Sequence, residues 1–151
     1  NRLLFPDIRE DMFISMIYLV LDQTTGQITL ARAGHPPALL WRKNTGEVES
    51  IKSGGLAVGI DKGGVFERVT KDCSFTLEPG DCLLLYTDGV NEATDAKGDE
   101  FGEDRIKEVL ARLAPQGAPA VVSGLVSEGE AFLGRRRSNE DITLIALQKA
   151  P

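Results

Sequence analysis

Histidine and cysteine are nearly absent: the 151 residues hold one histidine, His35, and two cysteines, Cys73 and Cys82. Two thiols and one imidazole are too few for a zinc site, and they make no disulfide framework. Reduced, buried thiols in a cytoplasmic protein are the expectation. His35 has no Gly-x-Ser-x-Gly elbow to serve, so a serine-hydrolase triad is unsupported. Positive charge is also short. The net charge is −6, leaving no basic face to displace counterions from a nucleic acid. No apolar run reaches the ~18 residues of a membrane span. "MFISMIYLVL" is too short, and nothing resembles a signal peptide. The glycine-rich stretch 53–64, "SGGLAVGIDKGG", lacks the Lys-Ser/Thr ending of a phosphate-cradling loop. "DAKGDE" at 95–100 has the wrong spacing for a calcium loop.

What is present describes a soluble globular chain, 42% hydrophobic and 26% charged, of a size suited to a single domain. The first half alternates β-rich runs with turn residues. Met12 to Leu21, "ITLARAG", "ALLWRK" and "VESIK" are separated by "DQTTGQ", "HPP" and "NTGE". That spacing predicts an antiparallel meander with one covered face. The segment 53–64 reads as a connection with no helix signal after it. "FERVTKDCSFTL" and "CLLLYTDG" are expected to form a hairpin, with Pro79 and Gly80 central in a type II turn. Cys82 to Tyr86 has no polar face, which marks an inner strand. Trp41 reads as a packing residue on its strand.

Helices are expected late in the chain. Ile106, Val109, Leu110 and Leu113 form one apolar stripe. Val121, Val122, Leu125, Val126, Phe132 and Leu133 form a second, with Pro119 near its start. "ITLIAL", 142–147, closes the chain as a strand. The predicted class is α+β, an antiparallel sheet or sandwich flanked by helices.

The chemistry is expected where apolar strands meet carboxylates. The strand 82–87 runs straight into Asp88-Gly89, and Glu140 and Asp141 stand just before the strand 142–147. A charge buried without a partner costs several kcal/mol. Asp88 therefore sits at the strand mouth, is protonated, or faces a cation. If the two strands are antiparallel neighbours, ~4.8 Å apart, these carboxylates meet at one sheet edge; if parallel, the site disappears. Carboxylates that close repel unless a cation lies between them, and hard oxygen ligands suit Mg²⁺ or Mn²⁺. The bland alternatives are a turn at Asp88-Gly89 and a solvated loop at Glu140-Asp141.

These residues carry a family resemblance. "LEPGDCLLLYTDGVNEATDAKGDEFG" resembles the signature of the bacterial SpoIIE/RsbU-like phosphatases, a branch of the PPM metal-dependent serine/threonine phosphatases. "ARAGHPPALL" is similar to that family's Asn-Ala-Gly-His-Asn-Pro-Pro segment, and "NEDITLIAL" to its Asp-Asp-Ile-Thr segment. "GGLAVGI" looks like its Gly-x-Pro-Leu-Gly loop, and "DMFISMIYLVLD" like the strand that opens this half of the domain. The motifs fall in family order across nearly the whole chain.

The resemblance implies a β-sandwich flanked by helices, with a two-metal centre of Mn²⁺ or Mg²⁺ that hydrolyses phosphoserine or phosphothreonine. It implies Asp88 as a metal ligand and Gly89 as the residue allowing close backbone approach beside it. Aligned on Ile142-Thr143, the family's two aspartates fall on Glu140 and Asp141. The first is the expected metal ligand, and Asp141 is the alternative. Gly34 and His35 are implied as a loop near the metal edge, His35 with a structural or supporting part rather than that of a general acid. Arg135 to Arg137 read as a solvated loop, with phosphoprotein contact as the alternative. The family's upstream segments, Gly-Asp-x-x-Asp and Gly-Asp-x-x-Gly-x-Gly, have no match here. Residues 1–151 are therefore expected to be the C-terminal portion of a catalytic domain, inactive alone. The implied substrate is a phosphorylated STAS-domain anti-anti-sigma protein, with a sensor or receiver domain upstream in the parent chain. The alternatives are a catalytically degenerate docking module and an unrelated α+β ligand-binding domain.

Overall fold

The computed structural model describes residues 1–134 and 141–150. Two compact units alternate along the sequence, one formed by residues 1–37 and 51–76, the other by 38–50 and 77–151. Both sheets are antiparallel and helices flank the strands, the expected α+β class.

The first unit holds a three-stranded sheet in the order β1 (Met16–Leu21), β2 (Gln27–Ala33), β5 (Asp72–Thr76). The β1–β2 turn is set locally. The Asp22 carboxylate accepts from the Thr24 and Thr25 amides at 2.8 and 3.2 Å, and Gly26 takes φ +80°. Those amide bonds hold the Asp22 carboxyl below its ordinary range. Ile28 and Leu30 of β2 are fully buried, while the Thr29 and Ser74 hydroxyls pair at 3.1 Å between β2 and β5. A six-residue helix, α1 (Gly64–Val69), precedes β5. It corrects the expectation that no helix follows the glycine-rich loop. The signal is Asp61, whose Oδ2 accepts from the Gly63, Val65 and Phe66 amides and so satisfies donors that a helix start leaves orphaned.

The second unit is a four-stranded sheet in the order β4 (Val48–Ile51), β3 (Ala38–Trp41), β6 (Cys82–Tyr86), β7 (Leu144–Gln148). The expected meander is thus divided: β1 and β2 lie in one sheet, β3 and β4 in the other. The expected β5–β6 hairpin is likewise two strands of different sheets, although the turn itself forms. The Asp81 amide bonds the Glu78 carbonyl at 2.9 Å, with Gly80 at φ +92°. Burial explains the division. Every residue of β6 is buried, so both of its faces are covered, whereas β5 alternates exposed and half-buried positions as one-sided sheets do.

Helices α3 (Gly102–Leu113) and α4 (Ala118–Leu133) cover one face of this sheet. Their stripe of Ile106, Val109, Leu110, Val121 and Leu125 joins Leu39, Trp41, Cys82, Leu84 and Tyr86 in a single core cluster. Burying such side chains is worth about 1.5–3 kcal/mol each. Trp41 packs as expected, 5% exposed. Cys82 packs with it, and its burial pushes the thiol up to about 11; both cysteines are free. Burial, reinforced by the Glu103 carboxylate, raises the Tyr86 phenol well above its usual range. Asp81, 2% exposed, is the buried carboxylate of this unit. It accepts from the Arg42 guanidinium at 2.8 Å and from the Lys43 and Glu78 amides at 2.9 and 3.1 Å. No helix among the described residues is long and apolar enough to cross a membrane.

Candidate functional site

The condition set by the sequence was antiparallel pairing of the strands that carry the acidic positions. β6 and β7 do pair antiparallel, from Cys82↔Gln148 to Tyr86↔Leu144. The C-terminal end of β6 therefore lies beside the N-terminal start of β7, and Asp88 and Asp141 follow and precede these ends in sequence.

Thr87 ties the two segments together beyond the last ladder pair. Its amide donates to the Thr143 carbonyl at 3.1 Å, and its hydroxyl accepts from the Thr143 amide at 2.9 Å. The same hydroxyl donates to the Asp141 carbonyl at 3.2 Å. This clamp was not singled out from the sequence, although both threonines stand inside the motifs "YTDG" and "DITL". It anchors the backbone on either side of the edge with three bonds, where a strand end alone would fray.

Asp88 opens a short helical turn, α2 (Asp88–Asn91), whose first carbonyl accepts from the Glu92 amide at 2.8 Å. The side chain is exposed, so of the three expectations for Asp88 the strand-mouth position describes the chain. The apolar run buries its own five residues and releases the carboxylate to solvent. Gly89 is buried in α2 and is not among the positive-φ glycines. Asp141 is exposed. Glu140 and Arg135 to Arg137 lie outside the described residues.

Gly34 and His35 belong to the first unit. Gly34 has φ +67°, and a Cβ there would stand 2.5 Å from the Ala57 Cβ, so glycine is required twice over. The loop after it is held by Arg32, which the sequence did not mark as important. Its guanidinium donates to the His35 carbonyl at 2.5 Å and, through two nitrogens, to the Ser53 carbonyl at 3.1 and 2.8 Å. The His35 ring faces its own chain, with Nδ1 3.2 Å from the Pro36 carbonyl. Nδ1 is the donor in that contact, since a carbonyl oxygen can only accept.

As a donor set, Asp88 and Asp141 are hard, solvent-facing carboxylates, which suits a divalent cation that keeps water ligands. Among the described residues, no group of three or more His, Cys, Asp or Glu side chains is gathered to hold a metal.

Comparison with known proteins gives the family and the fold. The family model described as Stage II sporulation protein E (SpoIIE) matches residues 1–150. The chain is 34% identical over 99 residues to Protein IcfG of Synechocystis sp., covering 66% of this chain and 15% of that protein. It is 29% identical over 98 residues to the phosphoserine phosphatase RsbU of Bacillus subtilis, covering 65% and 28%. The chain therefore spans well under a third of either relative. Among solved structures, the SiaA-PP2C domain of Pseudomonas aeruginosa superposes with a TM-score of 0.76 at 22% identity, covering 97% of this chain and 56% of that one. That likeness fixes the fold as PP2C-type. With the family model spanning nearly its whole length, the chain belongs to the SpoIIE family, the SpoIIE/RsbU-like branch of the PPM phosphatases.

Proposed function

We propose that this chain is the C-terminal part of the catalytic domain of a bacterial metal-dependent serine/threonine protein phosphatase. The observation that carries the proposal is the β6–β7 edge, where antiparallel pairing and the Thr87 clamp bring together the segments bearing Asp88 and Asp141. Asp88 would hold the metal, with Glu140 or Asp141 beside it. Mn²⁺ or Mg²⁺ bound there would supply the Lewis acidity and charge neutralisation that phosphoryl transfer needs. The chain's own residues do the rest. The clamp fixes the backbone that carries the carboxylates before binding, which spares part of the reorganisation, and their exposure leaves room for a phosphoserine presented on another protein.

Two observations support a domain that is incomplete in this chain. The described carboxylates at the edge are too few for a two-metal centre. Among the described residues strand β1 is paired on one side alone, and Met16, Tyr18 and Val20, which share one of its faces, are 41, 63 and 53% exposed. An edge strand so apolar and uncharged invites another strand. The remaining ligands would come from the preceding part of the parent chain, and residues 1–151 alone would be inactive. RsbU is named a phosphoserine phosphatase. The family resemblance extends the proposal to a phosphorylated STAS-domain anti-anti-sigma protein in the cytoplasm as substrate, with a sensor or receiver domain upstream governing assembly of the metal site. The second reading, a docking module that has lost hydrolysis, is favoured by the same short ligand set.

The experiment is Mn²⁺ titration of the parent catalytic domain, wild type and Asp88→Asn, following phosphate release from a phosphoserine protein. Metal-dependent turnover that falls by about 10²-fold or more in the folded variant supports the phosphatase. A wild type silent at every metal concentration leaves the docking module. Glu140→Gln compared with Asp141→Asn decides which of the two completes the edge.

A further inference from the structure

Two glycines interrupt α4, and they differ in kind. A Cβ at Gly124 would collide with Leu113 Cδ1, so that glycine lets α4 approach α3. Gly129 is buried, yet a Cβ built on it meets no atom within 4 Å. Glycine is the poorest helix former after proline, and no packing demand explains it here. The space it leaves open belongs to a groove of about 280 Å³ lined by Val90, Leu125, Val126, Ile142 and Glu130 among others. Val126 and Ile142 are 43 and 44% exposed. Glu130 is the one charged residue in this lining, and its carboxylate has no hydrogen bond or ion pair among the described residues. The groove adjoins the candidate metal edge on two sides, since Val90 comes two residues after Asp88 and Ile142 directly follows Asp141.

We propose that this groove receives an apolar side chain, neighboured by a lysine or arginine, from the phosphoprotein dephosphorylated at the Asp88–Asp141 edge; the substrate assignment rests on the phosphatase reading above. The lining selects an apolar anchor. The Glu130 carboxylate, the one charge in this lining, selects the cation by charge complementarity. The groove is below the usual size of a drug-like ligand site and suits a single side chain. Its place beside the edge lets one bound segment be anchored and its phosphoserine presented together.

The test is titration of the methyl-labelled parent chain, without metal, with the peptide acetyl-Gly-Leu-Arg-Gly-amide, followed by NMR. Saturable shifts are expected at the Val126 and Ile142 methyls, with affinity lowered about tenfold by Leu→Ser or Arg→Glu in the peptide. Gly129→Leu, which fills the groove, should lower it similarly. Glu130→Arg should reverse the preference toward acetyl-Gly-Leu-Glu-Gly-amide, a gain that misfolding cannot imitate. In turnover with Mn²⁺, the first peptide should raise KM for the phosphoprotein and leave p-nitrophenyl phosphate hydrolysis unchanged. Absence of saturable shifts, or an unchanged preference in Glu130→Arg, overturns the groove. Binding with no effect on the phosphoprotein KM overturns the substrate assignment. A parent chain that binds the peptide yet hydrolyses neither substrate counts against the phosphatase, while the groove's apolar and cationic preference stands.

Discussion

At the scale of single residues, the buried charge and the buried thiol make the sharpest demands. Asp81 stands at the start of the inner strand with three donors on its two oxygens, so it holds a turn and performs no chemistry. Removing its carboxylate in Asp81→Ala takes from the Arg42 guanidinium one of its two carboxylate partners, the other being Glu49 at 3.1 Å, and leaves the Lys43 and Glu78 amides without their acceptor. We expect a loss of about 3 kcal/mol, read from urea unfolding. Cys82 makes a pH-dependent contribution. Burial raises its folded-state pKa from the ordinary 9.0 to about 11, so the fold favours the protonated thiol. The corresponding stability is complete below pH 9 and is lost as pH rises toward 11, a fall of roughly 2–3 kcal/mol. Tyr86 acts in the same direction at higher pH. Urea melts at pH 8 and pH 10.5 should show the loss, and Cys82→Ala should flatten it. A wild type equally stable at both pH values would contradict the burial argument.

At the scale of elements, α4 is an internal comparison. Gly129→Ala adds a methyl where space is open and improves helix propensity, and should stabilise by about 0.5–1 kcal/mol. Gly124→Ala drives a methyl against Leu113 Cδ1, the movable end of a half-buried side chain, so it should gain less than Gly129→Ala does from the same propensity change. Thermal unfolding of the two variants side by side checks their order. The β6–β7 junction is the other decisive element. Thr87→Val keeps the branched shape of the side chain but deletes the hydroxyl, leaving the Thr143 amide without its 2.9 Å acceptor. Its effect should appear as weaker metal binding and faster amide exchange at 141–143, with the rest of the sheet unchanged.

At the scale of the molecule, the free edge of β1 dominates behaviour. Natural edge strands are blunted by lysine, proline or bulges, whereas "MIYLVL" offers none of these. Residues 1–151 taken alone should self-associate as concentration rises, and Val20→Lys should suppress this in sedimentation measurements. If the wild type stays monomeric at high concentration, strand addition at β1 loses its support. The net charge of −6 opposes association only weakly at physiological salt, where screening acts within about 8 Å.

The local and the pairwise were legible in unequal degree. Sequence by itself determined the inner strand Cys82–Tyr86, because five consecutive apolar residues admit no solvent face. It determined both long helices, because their apolar stripes recur at helical spacing, and it determined the family, because ordered motifs at Asp88, His35 and Ile142-Thr143 are short-range patterns. It also singled out Asp88, since a carboxylate after a buried run is anomalous in one dimension. It misassigned β3 and β5 to the wrong neighbours, because a turn such as Glu78–Asp81 has the same local chemistry whether the chain folds back or crosses to another sheet. Only the tertiary structure decided that β6 has β7 as its antiparallel neighbour, a pairing between residues some sixty positions apart. Only it exposed the Thr87 clamp and the Arg32 brace, whose side chains bond to backbone amides and carbonyls that carry no signature in sequence. Side-chain identity records what a residue can bond; the long-range pairing of strands decides which partner is within reach.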